Sequence, residues 1–446
     1  MALSKPALAC AGGAAVLAAT AVAGQRVGLA LTLALLLATA AGMLAAQRSA
    51  ARDILALALA LALQPFLRDA GWVVAVDVSA AFAASLLAAG RLKHWSGMRR
   101  SLLAPCKLIS VLARPAGWGR ALAPVTPSNR MWPAVRGVVL AVVLTATFGA
   151  LFASADSAFA GMLDETFTAD LDAADLTWRL VLALAFVLAA GAIAQAGTGA
   201  GAGDGATGNP RRRGVLGRVE LVIALGAVVA LFATFVAVQL RVLFGGAAYV
   251  QSTTGLGYGE YARQGFVALL IVAALTLALV AFAARRRDRS VRALLGVLCV
   301  LTLVVLLSAY HRLDLVEQAY GFTRVRYAGH AIVIWLASIF GLVLSAGVSR
   351  AIARALPRLV TTFTLAGVLA FSLSNPDGRI AQRAVDRAVA GGEVDTGYLR
   401  GLSADALPAL DGLPPRQRAA VLPELRARLQ RPDGLAGLNL ARARAR

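Results

Sequence analysis

The chain has 446 residues, of which 59% are hydrophobic and only 15% charged, and its formal net charge is +21. Soluble proteins usually carry about 25% charged residues, so the composition argues against a water-soluble globular fold. Basic residues lie between apolar runs rather than in one patch, which sets aside nucleic acid and fits anchors of membrane topology, with attraction to anionic lipid as a by-product.

With a window of about 17–25 residues, the apolar runs predict about eleven membrane spans. The first covers Ala7 to Gly24 and the second Gly28 to Ala46. Lys5, the first apolar run and Ala21-Val22-Ala23 also fit a cleaved signal peptide. An apolar span follows at once, so a retained helix is favoured. The third run, Ile54 to Phe66, is short and ends at Gln64-Pro65, and the fourth covers Trp72 to Gly90. Then follow Gly137 to Ala155, Trp178 to Gln195, Glu220 to Leu240, Gly265 to Ala283, Val291 to Tyr310, Tyr327 to Val348, and Leu359 to Ser374.

The loops orient these spans. Arg91 to Arg136 holds nine lysines and arginines and no acid. Arg211-Arg212-Arg213 with Arg218, the run Arg285 to Arg292, and Arg350, Arg354 and Arg358 mark further basic loops. The positive-inside rule places these in the cytoplasm with the N-terminus. The acidic segment Asp156 to Asp175 falls outside, and so does the tail from Asn375 to Arg446. In that tail Leu422, Leu425 and Leu429 recur at helical spacing before the turn residues Arg431-Pro432-Asp433-Gly434. A Gly-rich linker covers Gly197–Gly208. The expected architecture is all-α: a polytopic transmembrane helix bundle with a small C-terminal extramembrane helical tail. Its expected divisions are N-terminal helices in 1–90, a basic cytoplasmic loop in 91–136, the core bundle in 137–374 and the extracytoplasmic tail in 375–446.

Two acids fall inside predicted spans, Asp77 and Glu220. An intramembrane carboxylate is a functional candidate by default, but Glu220 opens its helix, where negative charge is favoured, and Asp77 lies near the outer end of its span. Interfacial or structural roles are favoured for both. Two outer loops carry more. Glu260, Tyr261 and Arg263 lie in one. The other and its flanks hold His311, Arg312, Asp314, Glu317, Tyr320, Arg324, Arg326 and His330. Arginine is disfavoured in short translocated loops. The plain expectation is an ion-paired cap. The sharper one is a pocket for an anionic lipid or envelope ligand, because arginine forks suit phosphate and carboxylate. If the helix continues past Tyr310, Gly321 would end it. His311, Asp314 and Glu317 spread over about 120° of a helix, too wide for one metal ion without further ligands. The three cysteines, Cys10, Cys106 and Cys299, have no redox or metal spacing. No metal and no cofactor is expected, and no phosphate loop, zinc-protease motif, nucleophile elbow or dinucleotide fingerprint is present.

Several pieces together resemble a known family. They are Tyr258–Phe266, Arg312–Arg326, Ala153-Ser154-Ala155-Asp156 before Phe159, Asn375-Pro376-Asp377, and Asp395–Leu410, which reads DTGYLRGLSADALPAL. They resemble an uncharacterised bacterial family of multi-pass membrane proteins, known only as a domain of unknown function (numbers 4173 and 4153). Where its members often carry aromatic residues near the end of the tail, this chain has Leu435 and Leu438. The resemblance implies a fold and no reaction. Three functions are open at this point: a protein of the inner membrane that binds or senses an anionic ligand at the outer face, a transporter, and an enzyme acting at the outer leaflet.

Overall fold

The computed structural model describes residues 9–10, 12–17, 26–45, 52–88, 132–166, 217–254, 265–284 and 288–446. Among the described residues every regular element is a helix. In chain order these are α1 (Leu29–Ala45), α2 (Arg52–Ala62), α3 (Gln64–Leu67), α4 (Gly71–Ala88), α5 (Trp132–Ala155), α6 (Ser157–Thr166), α7 (Arg218–Thr254) and α8 (Phe266–Ala283). There follow α9 (Arg289–Tyr320), α10 (Arg324–Val348), α11 (Arg350–Leu373), α12 (Pro376–Val389), α13 (Thr396–Arg400), α14 (Leu407–Leu410), α15 (Pro415–Leu429) and α16 (Leu440–Ala445).

Among the described residues six helices are long and apolar enough to cross a membrane: Ala134–Ala155, Arg218–Leu240, Phe266–Ala283, Arg289–Gln318, Arg324–Val348 and Arg350–Leu373. The chain is therefore a multi-pass membrane protein. The count of about eleven is not confirmed. Leu29–Ala41, Asp53–Leu67 and Gly71–Ser85 are shorter apolar stretches, and a break at Leu63 divides the third expected span between α2 and α3. The first expected span is described only at 9–10 and 12–17, and Trp178–Gln195 lies outside the described residues.

The chain divides into two compact units. The first comprises Met1–Trp95, Tyr320–Trp335 and Arg354–Arg446. Its apolar helices meet through one stripe of α2, where Ile54, Ala58, Leu61 and Ala62 fall at helical spacing. They pack on Ala81 and Ala84 of α4 and Leu365 of α11. The alanines leave room for backbones to approach closely. The tail has its own core, built from Ile380, Ala381 and Val385 of α12, Leu407 and Leu410 of α14, and Val421, Leu422, Leu425 and Leu429 of α15.

The turn into the tail is set by Asn375-Pro376-Asp377. Asn375 takes φ 53° and its side chain accepts from the Gly378 amide, while Pro376 occupies the first turn of α12. A capping Asn followed by Pro is a helix start in which no backbone donor is lost. The far end of the tail is tied to α1. The Leu29 amide donates to Leu438 O and the Ala30 amide to Ala436 O, each at 2.9 Å. Gly28 makes this approach possible, since a Cβ there would lie 2.5 Å from the carbonyl oxygens of Gly437 and Leu438.

The second unit comprises Ser96–Ala319 and Leu336–Ala353. Here α5 packs on α7 and α8. The core is a phenyl cluster: Phe152 stacks on Phe235 at 3.9 Å and meets Phe232 edge-on at 4.9 Å, with Phe148 and Phe159 at its margins. Such pairs add about 0.5–1.5 kcal/mol beyond their buried area. Gly265 starts α8 at φ 74°, and its missing side chain leaves space that the Ala155 backbone fills.

Candidate functional site

Glu260, Tyr261 and Arg263 lie outside the described residues. His311, Arg312, Asp314 and Glu317 belong to the second unit, and Tyr320, Arg324, Arg326 and His330 to the first. Helix α9 does run on past Tyr310 to Tyr320, and Gly321 follows at φ 78°. On that helix His311 is exposed, Glu317 is buried, and Asp314 accepts from Gln318 at 2.9 Å.

Each of the three described arginines has internal partners. Arg312 is 4% exposed. It is paired with Asp156, donates to Gln239 Oε1 at 2.9 Å and reaches Ala155 O at 3.0 Å. Gln239 returns a bond to Asp156 at 2.5 Å, and Ser308 donates to Gln239 Oε1 at 3.1 Å. The other Asp156 oxygen caps α6 by accepting from the Phe159 amide at 3.0 Å. A buried pair with its remaining lone pairs satisfied is the form that tolerates burial. This arrangement holds α5, α6, α7 and α9 in register.

Arg324 grips Asp377 with two donors, at 2.9 and 2.5 Å, and reaches Gly401 O at 3.1 Å. Asp377 also accepts from Trp72 Nε1 at 3.1 Å and from the Ser403 amide at 3.0 Å. Burial pushes the Asp377 carboxyl up, but the Arg324 bonds and charge outweigh it and hold it below the ordinary carboxylate range. Arg326 donates to the carbonyls of Tyr320 and Gly321 and lies 5.8 Å over the Tyr320 ring. His330 Nδ1 is 3.4 Å from Arg326 O. The two acids that neutralise the arginines are thus Asp156 and Asp377, both inside pieces of the family resemblance and neither expected in this role.

Of the two membrane acids, Glu220 fits a structural role at its helix start: it is buried and accepts from the Gly217 amide at 2.6 Å in the first turn of α7. Asp77 does not reach an interface within its unit: it is 0% exposed and accepts from Ser372 at 2.7 Å.

A further polar centre, which loop charges alone do not signal, lies where the tail meets α1, α3 and α4. The Asp405 carboxylate accepts from the Asp69 and Ala70 amides at 2.7 and 3.0 Å and lies 3.5 Å from Arg68. Burial raises the Asp405 carboxyl above its ordinary value despite those bonds. Arg442 is paired with Asp69 and, at 2.9 Å, with Asp433. Asp433 also takes Arg446 at 2.6 Å and Arg26 at 3.4 Å. Asn439 donates to Pro65 O and Arg68 O at 3.0 and 2.9 Å, fixing the turn between α3 and α4. Beside this network opens a cleft of about 590 Å³, whose lining includes Arg26, Arg68, Asp69 and Arg442 together with Leu31, Val74 and Val78. The Arg68 Nε–H is buried without a hydrogen-bond partner, though its Nη2 reaches Leu373 O at 2.7 Å.

A family model described as a domain of unknown function (DUF4153) matches residues 55–413. No curated protein and no solved structure matches the chain.

Proposed function

The chain belongs to the DUF4153 family, whose activity its description leaves open, and we propose from its own geometry that it binds an anionic amphiphile. The head group sits over Arg26, Arg68 and Arg442, and the apolar part lies along Leu31, Val74 and Val78. This reading keeps the anionic ligand that the loop charges pointed to and moves its seat to the cleft, where Arg26, Arg68 and Arg442 are ion-paired but also line open space. By the loop charges, the cleft faces the outer leaflet of the cell membrane.

The observation that carries the reading is a cleft whose lining brings Arg26, Arg68 and Arg442 together with Leu31, Val74 and Val78. An anionic oxygen is the natural complement of an arginine fork. The volume falls within the range of about 300–1,000 Å³ typical of ligand pockets. Helix α4 begins at Gly71, on the cleft wall, so its positive end adds to the field.

The test uses the full chain in nanodiscs of neutral lipid, with phosphatidylglycerol and inorganic phosphate as separate probes. Arg26→Ala removes one charged contact, worth about 1.5–3 kcal/mol, so phosphatidylglycerol affinity should fall about tenfold or more. Val78→Phe fills the apolar wall without touching charge and should weaken phosphatidylglycerol but not phosphate. Unchanged lipid affinity in both variants would remove the proposal.

A further inference from the structure

Beyond the cleft, the first unit encloses three polar side chains among apolar helices. Helix α2 ends at Ala62, Leu63 turns, and Gln64-Pro65 begins the short α3. Pro65 cannot donate, so the ladder breaks there and Gln64 is carried into the interior, 2% exposed. Its Nε2 donates to Ala60 O at 3.2 Å, which aims Oε1 at Ser372. Ser372 Oγ lies 3.0 Å from Gln64 Oε1 and 2.7 Å from Asp77 Oδ2, and both Ser372 and Asp77 are 0% exposed.

Counting hydrogens decides what this row requires. Three oxygens make two short contacts, yet Ser372 brings one hydroxyl hydrogen and Gln64 Oε1 can only accept. If Ser372 donates to Asp77, its oxygen faces Gln64 Oε1 with nothing between them. One added proton on Asp77 completes the row: Asp77 donates to Ser372, and Ser372 donates to Gln64. Asp77 Oδ1 supports the same state, since it is buried without a hydrogen-bond partner. A bare carboxylate oxygen is far costlier in such a place than a neutral carbonyl.

We propose that Gln64, Asp77 and Ser372 form a proton-binding site, in which Asp77 takes one proton from water and returns it, with the Ser372 hydroxyl turning between Gln64 and Asp77. The charged groups on the surrounding elements leave this site nearly isolated. Helix α1 carries none. Arg52 and Asp53 lie at the start of α2, roughly 16 Å along the helix from Gln64, and Asp53 is engaged by Arg358. On α11 the charges are Arg350, Arg354 and Arg358, the last roughly 21 Å along the helix from Ser372. Arg68, just beyond α3, is the cation whose field reaches Asp77. Two arrangements that differ by one proton and one hydroxyl rotation are what a proton-driven switch needs.

Infrared difference spectra of the full chain in nanodiscs, recorded between acid and alkaline pH, test the site. A carboxylic-acid carbonyl band should come and go with pH and vanish in Asp77→Asn, whose neutral amide can still donate to Ser372. In Ser372→Ala the band should persist but move in frequency, because its hydrogen-bond acceptor is gone. A band unaltered in either variant, or no such band in the wild-type protein, would overturn the proposal. Should Asp77→Asn fail to fold, the Ser372→Ala frequency alone decides. Lipid affinity is measured separately, so failure of the cleft leaves this result readable.

Discussion

Asp156 in the second unit and Asp77 in the first are both enclosed aspartates beside apolar helices, yet one holds a guanidinium and the other only a hydroxyl. Asp156 is met by Arg312, Gln239 and the Phe159 amide. Asp77 is met by Ser372, and its second oxygen has no hydrogen-bond partner. Burial taxes the charged form of both. In the second unit a counter-charge offsets that cost and makes the acid part of the frame. In the first unit a proton is the cheapest remedy, and a proton can leave again. What surrounds a buried acid, more than burial itself, decides whether it locks a fold or responds to its environment.

The comparison breaks most sharply under substitution. Asp156→Ala removes the carboxylate beside the buried Arg312 guanidinium and should cost about 3–5 kcal/mol in unfolding experiments in mixed micelles. Asp77→Asn keeps the neutral row intact and should cost less than about 1 kcal/mol. Equal losses would abolish the distinction. A smaller effect should show that the two units hold separately. Gly28→Ala drives a methyl group into the Gly437 and Leu438 carbonyls and should cost about 1–3 kcal/mol. Amide exchange should rise around Leu29 and Ala30 while the amides near Phe152 keep their protection.

The smallest effect concerns pH in the tail. The Asp377 carboxyl lies below its ordinary value, so its contribution is present above the unfolded value of about 3.9 and is lost as pH falls through the lower folded value. The Asp405 carboxyl lies above its ordinary value, so ionising it removes stability as pH rises through the folded value. Asp377→Asn should therefore destabilise the tail at neutral pH and cease to matter in strong acid. Asp405→Asn should flatten the decline between acid and neutral pH, by about 1 kcal/mol or less. Proteolysis of the tail across a pH series measures both.

Long apolar helices were legible because hydropathy over a bilayer's length is a local property, and Leu422, Leu425 and Leu429 marked the tail core by spacing alone. The second and fourth apolar runs matched α1 and α4 to within two residues, whereas the third was divided at Leu63. The site was legible only as residue types. Arginines in outer loops announced buried charge, but their partners Asp156 and Asp377 stand 156 and 53 residues away, beyond any periodicity. The pieces resembling the family did contain both acids. Gln64 and Ser372 gave no signal, since a lone amide or hydroxyl in an apolar run looks like an incidental polar group. Arg26, Arg68 and Arg442 were hidden for a different reason: a cleft is a property of packing, and three arginines so far apart in sequence read as unrelated charges.

The clasp between α1 and the end of the tail has a consequence for synthesis. Arg26 and Asp433 are 407 residues apart. At roughly 5–20 residues per second, a ribosome needs on the order of 20–80 s to make the second after the first. Throughout that interval α1, α3 and α4 exist without the carbonyls of Ala436 and Leu438, the Asp405 carboxylate or the Arg442 guanidinium. The Asp69 and Ala70 amides wait as open donors, and the turn after Pro65 waits without Asn439. These helices are thus completed only when the tail, made long after them, supplies its contacts.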